Sequence, residues 1–495
     1  MALSVDQETA LQFFNNGENI FLTGIGGSGK SFLIQLFKTT TETNGKQIAV
    51  TALTGCAALL LGSGAMTIHS WSGIGLGDKS VEETVKYIRT RGNTTSYRRW
   101  LNTDILIIDE ISMMGCKILE LLNIVGKTIR KNSKPFGGIQ LVFAGDFFQL
   151  PPCGESTYAF ESPVWSEIMT NSIELTYNHR QSDKLFQKIL QEVRYGALSE
   201  ETIKILKSKK IKGNILPTFN PITADQEYYQ ATAGQDRYQA YHQAAAGQDR
   251  HQAAAGQDRH QAAAGQDRLI KPTILYSRKS DVDSTNKKEL EKLNNPIITF
   301  IVTSVDSASL NSVDSARLNS VDSARLNSTE SKKNASKLDN NCNYSTSLKL
   351  CIDAQVMLII NLDISEGLVN GSRGIIKSFS DKGLPIVEFL NGKIIEIDYH
   401  VWKLSEFDTF GRKQIPLCVA YAITIHKVQG ASLDYVLIDL GKSLFEDGQA
   451  YVALSRVRNL EGLFIYSLDI NKITTNQKVI KFYKSLSQRS DGAYL

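Results

Sequence analysis

The chain has 495 residues, 42% of them hydrophobic, and a formal net charge of only +4. That length carries a prior of about three domains with real cores. So small a charge confines any nucleic-acid surface to a local patch rather than a global field. The six cysteines (Cys56, Cys116, Cys153, Cys342, Cys351, Cys418) are scattered without C-x-x-C spacing. They read as reduced thiols of an intracellular protein, neither a disulfide framework nor a zinc site. No apolar run approaches the roughly eighteen residues of a transmembrane helix, so no membrane partner is expected. The opening residues, Met1 to Gln7, lack the basic and apolar regions of a signal peptide.

The first element with chemistry is the apolar run Ile20-Phe21-Leu22, followed by Thr23-Gly24-Ile25-Gly26-Gly27-Ser28-Gly29-Lys30-Ser31 and the helix-like Phe32 to Phe37. Strand, glycine turn and helix N-terminus in this order fit G-x-x-x-x-G-K-[ST], a phosphate-binding loop. Gly24, Gly26, Gly27, Ser28 and Gly29 let backbone N–H groups close around a polyphosphate, and the helix dipole favours its charge. Lys30 would reach the β- and γ-phosphates, and the Ser31 hydroxyl would ligate Mg²⁺. A nucleoside triphosphate, ATP, is the expected ligand.

Next, Asp104-Ile105-Leu106-Ile107-Ile108-Asp109-Glu110 is an apolar run ending in two acids, as a buried parallel strand should look. At the end of such a strand Asp109 can hold the Mg²⁺, and Glu110 is placed to orient and deprotonate the attacking water. A third strand, Ile139 to Asp146, runs into Phe147-Phe148-Gln149-Leu150-Pro151-Pro152. Gln149 sits where a neutral side chain would touch both water and γ-phosphate and report nucleotide state.

Two low-complexity stretches interrupt the chain. HQAAAGQDR recurs from His242 to Arg268, and SVDSASLN or SVDSARLN recurs from Ser304 to Asn327. Neither period matches a solenoid or supplies enough apolar side chains for a core, so both read as flexible insertions, over 226–268 and 304–345. Beyond them, Thr273 to Tyr276, Gln355 to Ile360, Tyr435 to Asp439 and Gly462 to Tyr466 suggest a second parallel-sheet lobe. Short alternating segments around Asn391-Gly392 give a hairpin signal, and with it a small β-barrel over 365–412.

These segments, in order, resemble the Pif-type DNA helicases of superfamily one. Leu3-Ser4-Val5-Asp6-Gln7 is similar to their adenine-reading motif, with Gln7 as reader. Val50 to Ala58 and Thr67 to Trp71 are similar to their single-strand-contacting segments. Asp109 to Met114, Pro135 to Leu141 and Gly145 to Pro152 cover the stretch distinctive of the family. In the second half, Gly367 to Gly374, Ile425-His426-Lys427-Val428-Gln429-Gly430 and Gly448 to Arg456 match.

The resemblance implies two RecA-like α/β lobes, over 1–180 and over 181–364 with 413–495. It implies a wedge insertion at about 72–100 in the first and an SH3-like barrel, 365–412, in the second. It makes Arg456 an arginine finger and Arg180 another, although His179 stands where many members carry Phe. A guanidinium suits the role because it stays charged and binds phosphate in fork geometry. Gln429 and Gly430 would join the nucleotide site, and Thr51, His69, His426 and Lys427 would contact DNA. The implied activity is ATP-dependent, five-prime-to-three-prime translocation on single-stranded DNA and unwinding of forked DNA, in replication, recombination, repair or telomere maintenance. A monomer, or one that weakly self-associates on DNA, in nucleus, cytoplasm or a viral replication site, is expected. An RNA-directed helicase and a vestigial motor acting as a scaffold are the alternatives.

Overall fold

The computed structural model of the chain describes residues 3–62, 64–75, 77–90, 94–152, 154–211, 270–306, 342–363, 366–403, 410–441 and 443–490, with 332, 335, 336, 338 and 339 among them. The HQAAAGQDR array lies outside the described residues, as does the second array after its first three residues.

The first lobe is built on six parallel strands: β1 (Ile20–Gly24), β2 (Ile48–Ala52), β3 (Met66–Thr67), β4 (Ile105–Asp109), β5 (Gln140–Ala144) and β6 (Asn171–Leu175). Their spatial order is β3-β2-β4-β5-β1-β6. Strands β1, β4 and β5 are buried along their whole length, which explains why they read as unbroken apolar runs. Alternate residues feed two cores. Leu22, Ile107 and Val142 meet Ile34 and Phe37 on one face, while Phe21, Leu106 and Phe143 meet Leu122, Val125 and Trp165 on the other. Because β4, β5 and β1 are neighbours, their carboxyl ends form one crevice, where open α/β sheets bind ligands.

The expected wedge is helical. Helices Val81–Arg89 and Thr94–Asn102 pack against the helix Cys116–Arg130, with Val85, Ile88 and Trp100 buried. Arg89 donates to the Thr128 carbonyl and Arg99 to that of Ser70, while Arg98 is exposed and Arg91 lies outside the described residues.

The second lobe carries four parallel strands in the order Ala422–Thr424, Thr273–Tyr276, Val436–Leu440, Leu463–Leu468. Three domain expectations need correction. The run at Gln355–Leu358 is not in this sheet; it pairs antiparallel with Arg373–Phe379 and Leu417–Val419. A run buried on both faces reads alike in either direction, and only distant partners set its polarity. The β insertion therefore extends from Ile298 to Val419, beyond the expected 365–412, in antiparallel sheets of five, three and two strands. Its Asn391-Gly392 hairpin is present, with Ile386–Glu388 paired to Ile394–Glu396.

Secondly, the insertion expected at 304–345 starts inside a strand, Thr303–Asp306, which pairs with Phe410–Lys413, and near its end Asp339 forms an ion pair with Arg412 at 2.8 Å. Thirdly, the last helix, Gln477–Ser490, crosses back to the first lobe, where Phe482 stacks on Phe160 at 4.3 Å. Aromatic residues at one helical face supply that interface, and no local pattern distinguishes it from a core of the helix's own lobe.

Candidate active site

The crevice at the ends of β1, β4 and β5 holds a cleft of about 490 Å³. Gly27 and Gly29 adopt positive φ of 90° and 95°, which only glycine takes without strain, so the loop turns tightly into the helix Lys30–Thr43. Lys30 Nζ donates to the Gly24 and Ile25 carbonyls at 2.6 and 3.0 Å. Burial pushes its pKa down, opposed by the charges of Asp146, Glu110 and Asp109. Asp109 is buried, and its carboxyl is pushed up to about 7 by desolvation and then by Glu110. Glu110 holds a left-handed backbone (φ 55°), a conformation that costs a non-glycine residue on the order of 1 kcal/mol and recurs at functional sites. Its side chain thereby faces the cleft, together with Ser31 and Gln149.

The opposite wall comes from elsewhere in the chain. Arg180 and Arg456 both line the cleft, as does Gly430. Arg456 is buried, and its hydrogen bonds go to neutral acceptors, the Val452 carbonyl at 2.9 Å and Ser455 Oγ at 2.6 Å. Arg180 donates to the carbonyls of Ser455 and Gly430, both at 3.2 Å, and desolvation and the neighbouring Arg456 push its pKa down. A guanidinium so perturbed is still charged at neutral pH. Gln429 Nε2 reaches Glu110 Oε2 at 2.8 Å and Gln149 Oε1 at 3.5 Å, which ties the second lobe to the paired acids. The lobes approach so closely that a Cβ on Gly448 would lie 2.5 and 2.6 Å from the Gln149 and Phe148 carbonyl oxygens. Two cations facing a lysine and two acids across a glycine loop form a site suited to a polyphosphate with a hard cation.

Other expected residues fall differently. Gln7 is buried beside Gly29 and closes a capping box with Ser4; it does not line the cleft. Ser28 is buried within the loop. Thr51 is a correction: it is fully buried in β2 and its hydroxyl donates to the Ile107 carbonyl at 2.7 Å, so it presents nothing to DNA. Its motif neighbours run along a strand buried on both faces at this point, with Val50 and Ala52 buried beside it. His69 is half-buried, with burial holding its pKa below the usual imidazole value. Lys427 is exposed and His426 half-buried on the turn after Ala422–Thr424. Sequence reasoning missed Phe32, His179, Ser432 and Arg458, which also line the cleft; only adjacence to the motifs pointed to them.

Residues 2–204 match the model of the PIF1-like helicase family, and 334–379 match that of the 2B domain of DNA helicase Pif1. The chain is 34% identical over 493 residues to a protein of Danio rerio named ATP-dependent DNA helicase PIF1, covering 98% of this chain and 64% of that one. It thus spans less than two thirds of that relative. The fold is similar to the crystal structure of Pif1 helicase from Candida albicans, with a TM-score of 0.68 and 29% identity over 98% of this chain and all of that one. It is also similar to Bacteroides Pif1 in complex with ADP-AlF4, with a TM-score of 0.70 and 24% identity over 99% and 98% of the two chains.

Proposed function

The chain belongs to the PIF1-like helicase family, and from that membership we propose that it is an ATP-dependent DNA helicase that moves five-prime to three-prime on single strands. One observation carries the reading: Lys30, Asp109 and Glu110 of one lobe line a single cleft with Arg180, from the last residues of that lobe, and with Arg456 of the other. Phosphoryl transfer needs little from a protein beyond positioning and compensation of charge on the phosphoryl oxygens. Lys30 and the loop N–H groups bind the polyphosphate. Glu110 orients the attacking water and takes its proton. Arg456, with Arg180, meets charge on the transferring phosphoryl group.

Ser31 and Asp109 would hold Mg²⁺, and their oxygens are the donors such an ion prefers. The burial and the Glu110 charge that push Asp109 up are what a cation there would offset. Held by these two residues, the ion would supply charge neutralisation to the polyphosphate.

Loss of the γ-phosphate removes what Arg180 and Arg456 grip, so each turnover opens the cleft. Alternating grip of the two lobes on one strand advances the protein and peels a fork. Exposed Lys427 is placed to contact phosphate, and His69 and His426 offer rings on which bases can stack. The test is unwinding of duplexes carrying a five-prime or a three-prime single-stranded tail, made of DNA or RNA, with Lys30→Ala in parallel. The reading requires ATP-dependent unwinding from the five-prime DNA tail alone, lost in the variant. Unwinding only on RNA, or none on any tail by folded protein that binds ATP, overturns it.

A further inference from the structure

Asp146, one residue beyond the glycine that follows β5, has no part in the chemistry above, yet groups from three distant segments converge on it. Its carboxylate is fully buried and takes Arg194 Nη2 on Oδ1 at 3.0 Å and Arg194 Nε on Oδ2 at 3.1 Å. The Tyr451 hydroxyl donates to Oδ2 at 3.1 Å and that of Tyr483 to Oδ1 at 3.3 Å, while the Phe148 N–H adds a bond at 3.2 Å. Arg194 brings the positive charge to this carboxylate, and its Nη1 also bonds Glu174 Oε1 at 3.0 Å. The two phenols add hydrogen bonds but no charge.

Tyr451 also reaches the phosphate loop, and Tyr483 the end of the strand that leads into it. The Gly26 N–H donates to Tyr451 Oη at 3.1 Å, and Tyr483 Oη lies 2.6 Å from Thr23 Oγ1. Tyr451 belongs to the helix Gln449–Leu454, which leads directly into Arg456, and Arg456 Nε is bonded to Val452 in that same helix. The second end of this chain of contacts closes on the same glycine: a Cβ on Gly26 would lie 3.3 Å from Arg456 Nη2. Burial and the Asp146 charge push the Tyr451 phenol pKa up, so its hydroxyl keeps its proton and remains a donor.

We propose that Tyr451, anchored by Asp146, is a positioning residue for Arg456: its hydroxyl, shared between the Gly26 N–H and the Asp146 carboxylate, fixes how far the arginine-bearing helix stands from the phosphate loop. This rests on the nucleotide chemistry proposed above and adds a residue that touches neither phosphate nor water. A loop displaced by nucleotide loss moves the Gly26 N–H, and Tyr451 carries that displacement into the other lobe.

Tyr451→Phe keeps the ring and removes only the bridging hydroxyl. In the full chain with single-stranded DNA, the variant is expected to lose about tenfold in kcat for ATP hydrolysis with KM within about twofold, the signature of an interaction made in the transition state. ADP should bind as before, while ADP with aluminium fluoride binds about tenfold more weakly. In an Arg456→Ala background the same substitution should change kcat by less than about twofold, because its effect runs through the arginine. Wild-type values for Tyr451→Phe, an undiminished tenfold loss in the Arg456→Ala background, or a lowered melting temperature with an unchanged aluminium-fluoride preference each overturn the proposal. Absent hydrolysis by the wild type would instead sink the helicase reading, and the ratio of the two nucleotide affinities, which needs no turnover, still decides Tyr451.

Discussion

Two strand–turn–helix units occupy inner positions of the two parallel sheets, and of the two only the first carries a glycine loop that lines a cleft. In the first lobe β1 passes through residues 25–29 into the helix Lys30–Thr43; in the second, Thr273–Tyr276 passes through residues 277–278 into the helix Lys279–Lys292. Each helix presents the positive end of its dipole at the carboxyl edge of its sheet. In the first unit, Gly27 and Gly29 adopt positive φ and line the cleft. In the second, Arg278 caps the helix in an extended conformation (φ −115°), with no glycine between strand and helix. The fold supplies the dipole twice, and only the first is joined to a glycine loop, the feature on which the proposed polyphosphate site rests.

The largest effect expected from this contrast is at the two helix-starting lysines. Lys30→Ala should lower DNA-stimulated ATP hydrolysis by about a thousandfold, the scale of losing a principal charge-stabilising donor. Lys279→Ala in the second unit should change it by less than about twofold. Equal losses in a steady-state assay would break the comparison. Next is Gly26→Ala, whose new methyl group would crowd Arg456 Nη2 at 3.3 Å and sit in contact with Arg180 Nη1 at 3.6 Å. Misplacing a catalytic group by a fraction of an ångström should slow hydrolysis by about ten- to a hundredfold while ADP affinity holds, read from kcat beside equilibrium titration.

A third test uses the proton on Asp109. Its carboxyl, pushed up to about 7 from an ordinary 3.8, binds a proton more readily folded than unfolded. Its contribution to stability is therefore present at low pH and lost as pH rises from about 4 through 7. Magnesium nucleotide should expel that proton, releasing about half a proton per site at pH 7, measured by calorimetry in buffers of different ionisation enthalpy. Heats independent of buffer would contradict the assignment. The smallest effect belongs far from both units: Gly392→Ala, at φ 73° with open space around it, should cost about 1 kcal/mol of backbone strain. Its melting temperature should drop by a few degrees with hydrolysis unchanged.

The first unit was legible because its strand, loop and helix are contiguous, and Asp109, Glu110 and Gln149 follow at neighbouring strand ends. Arg456 was placed by its motif context rather than by anything its own position shows. The polarity of Gln355–Leu358 was hidden, since burial on both faces erases alternation. Thr51 read as a contact because its segment matches one, whereas the strand is buried on both faces there and the hydroxyl bonds the Ile107 carbonyl. The Asp146 cluster was invisible for a different reason. Arg194, Tyr451 and Tyr483 lie 48, 305 and 337 residues from it in sequence, and each alone reads as an ordinary surface or core residue.

The second lobe completes the cleft of the first, with Arg456 on its wall. Single-turnover hydrolysis by Arg456→Ala, with nucleotide and single-stranded DNA saturating, tests it most directly. The predicted result is a hydrolysis rate about a thousandfold below wild type with nucleotide affinity within about threefold, the scale of removing an arginine finger. A wild-type rate from the same variant would contradict it, leaving the first lobe to hydrolyse nucleotide alone.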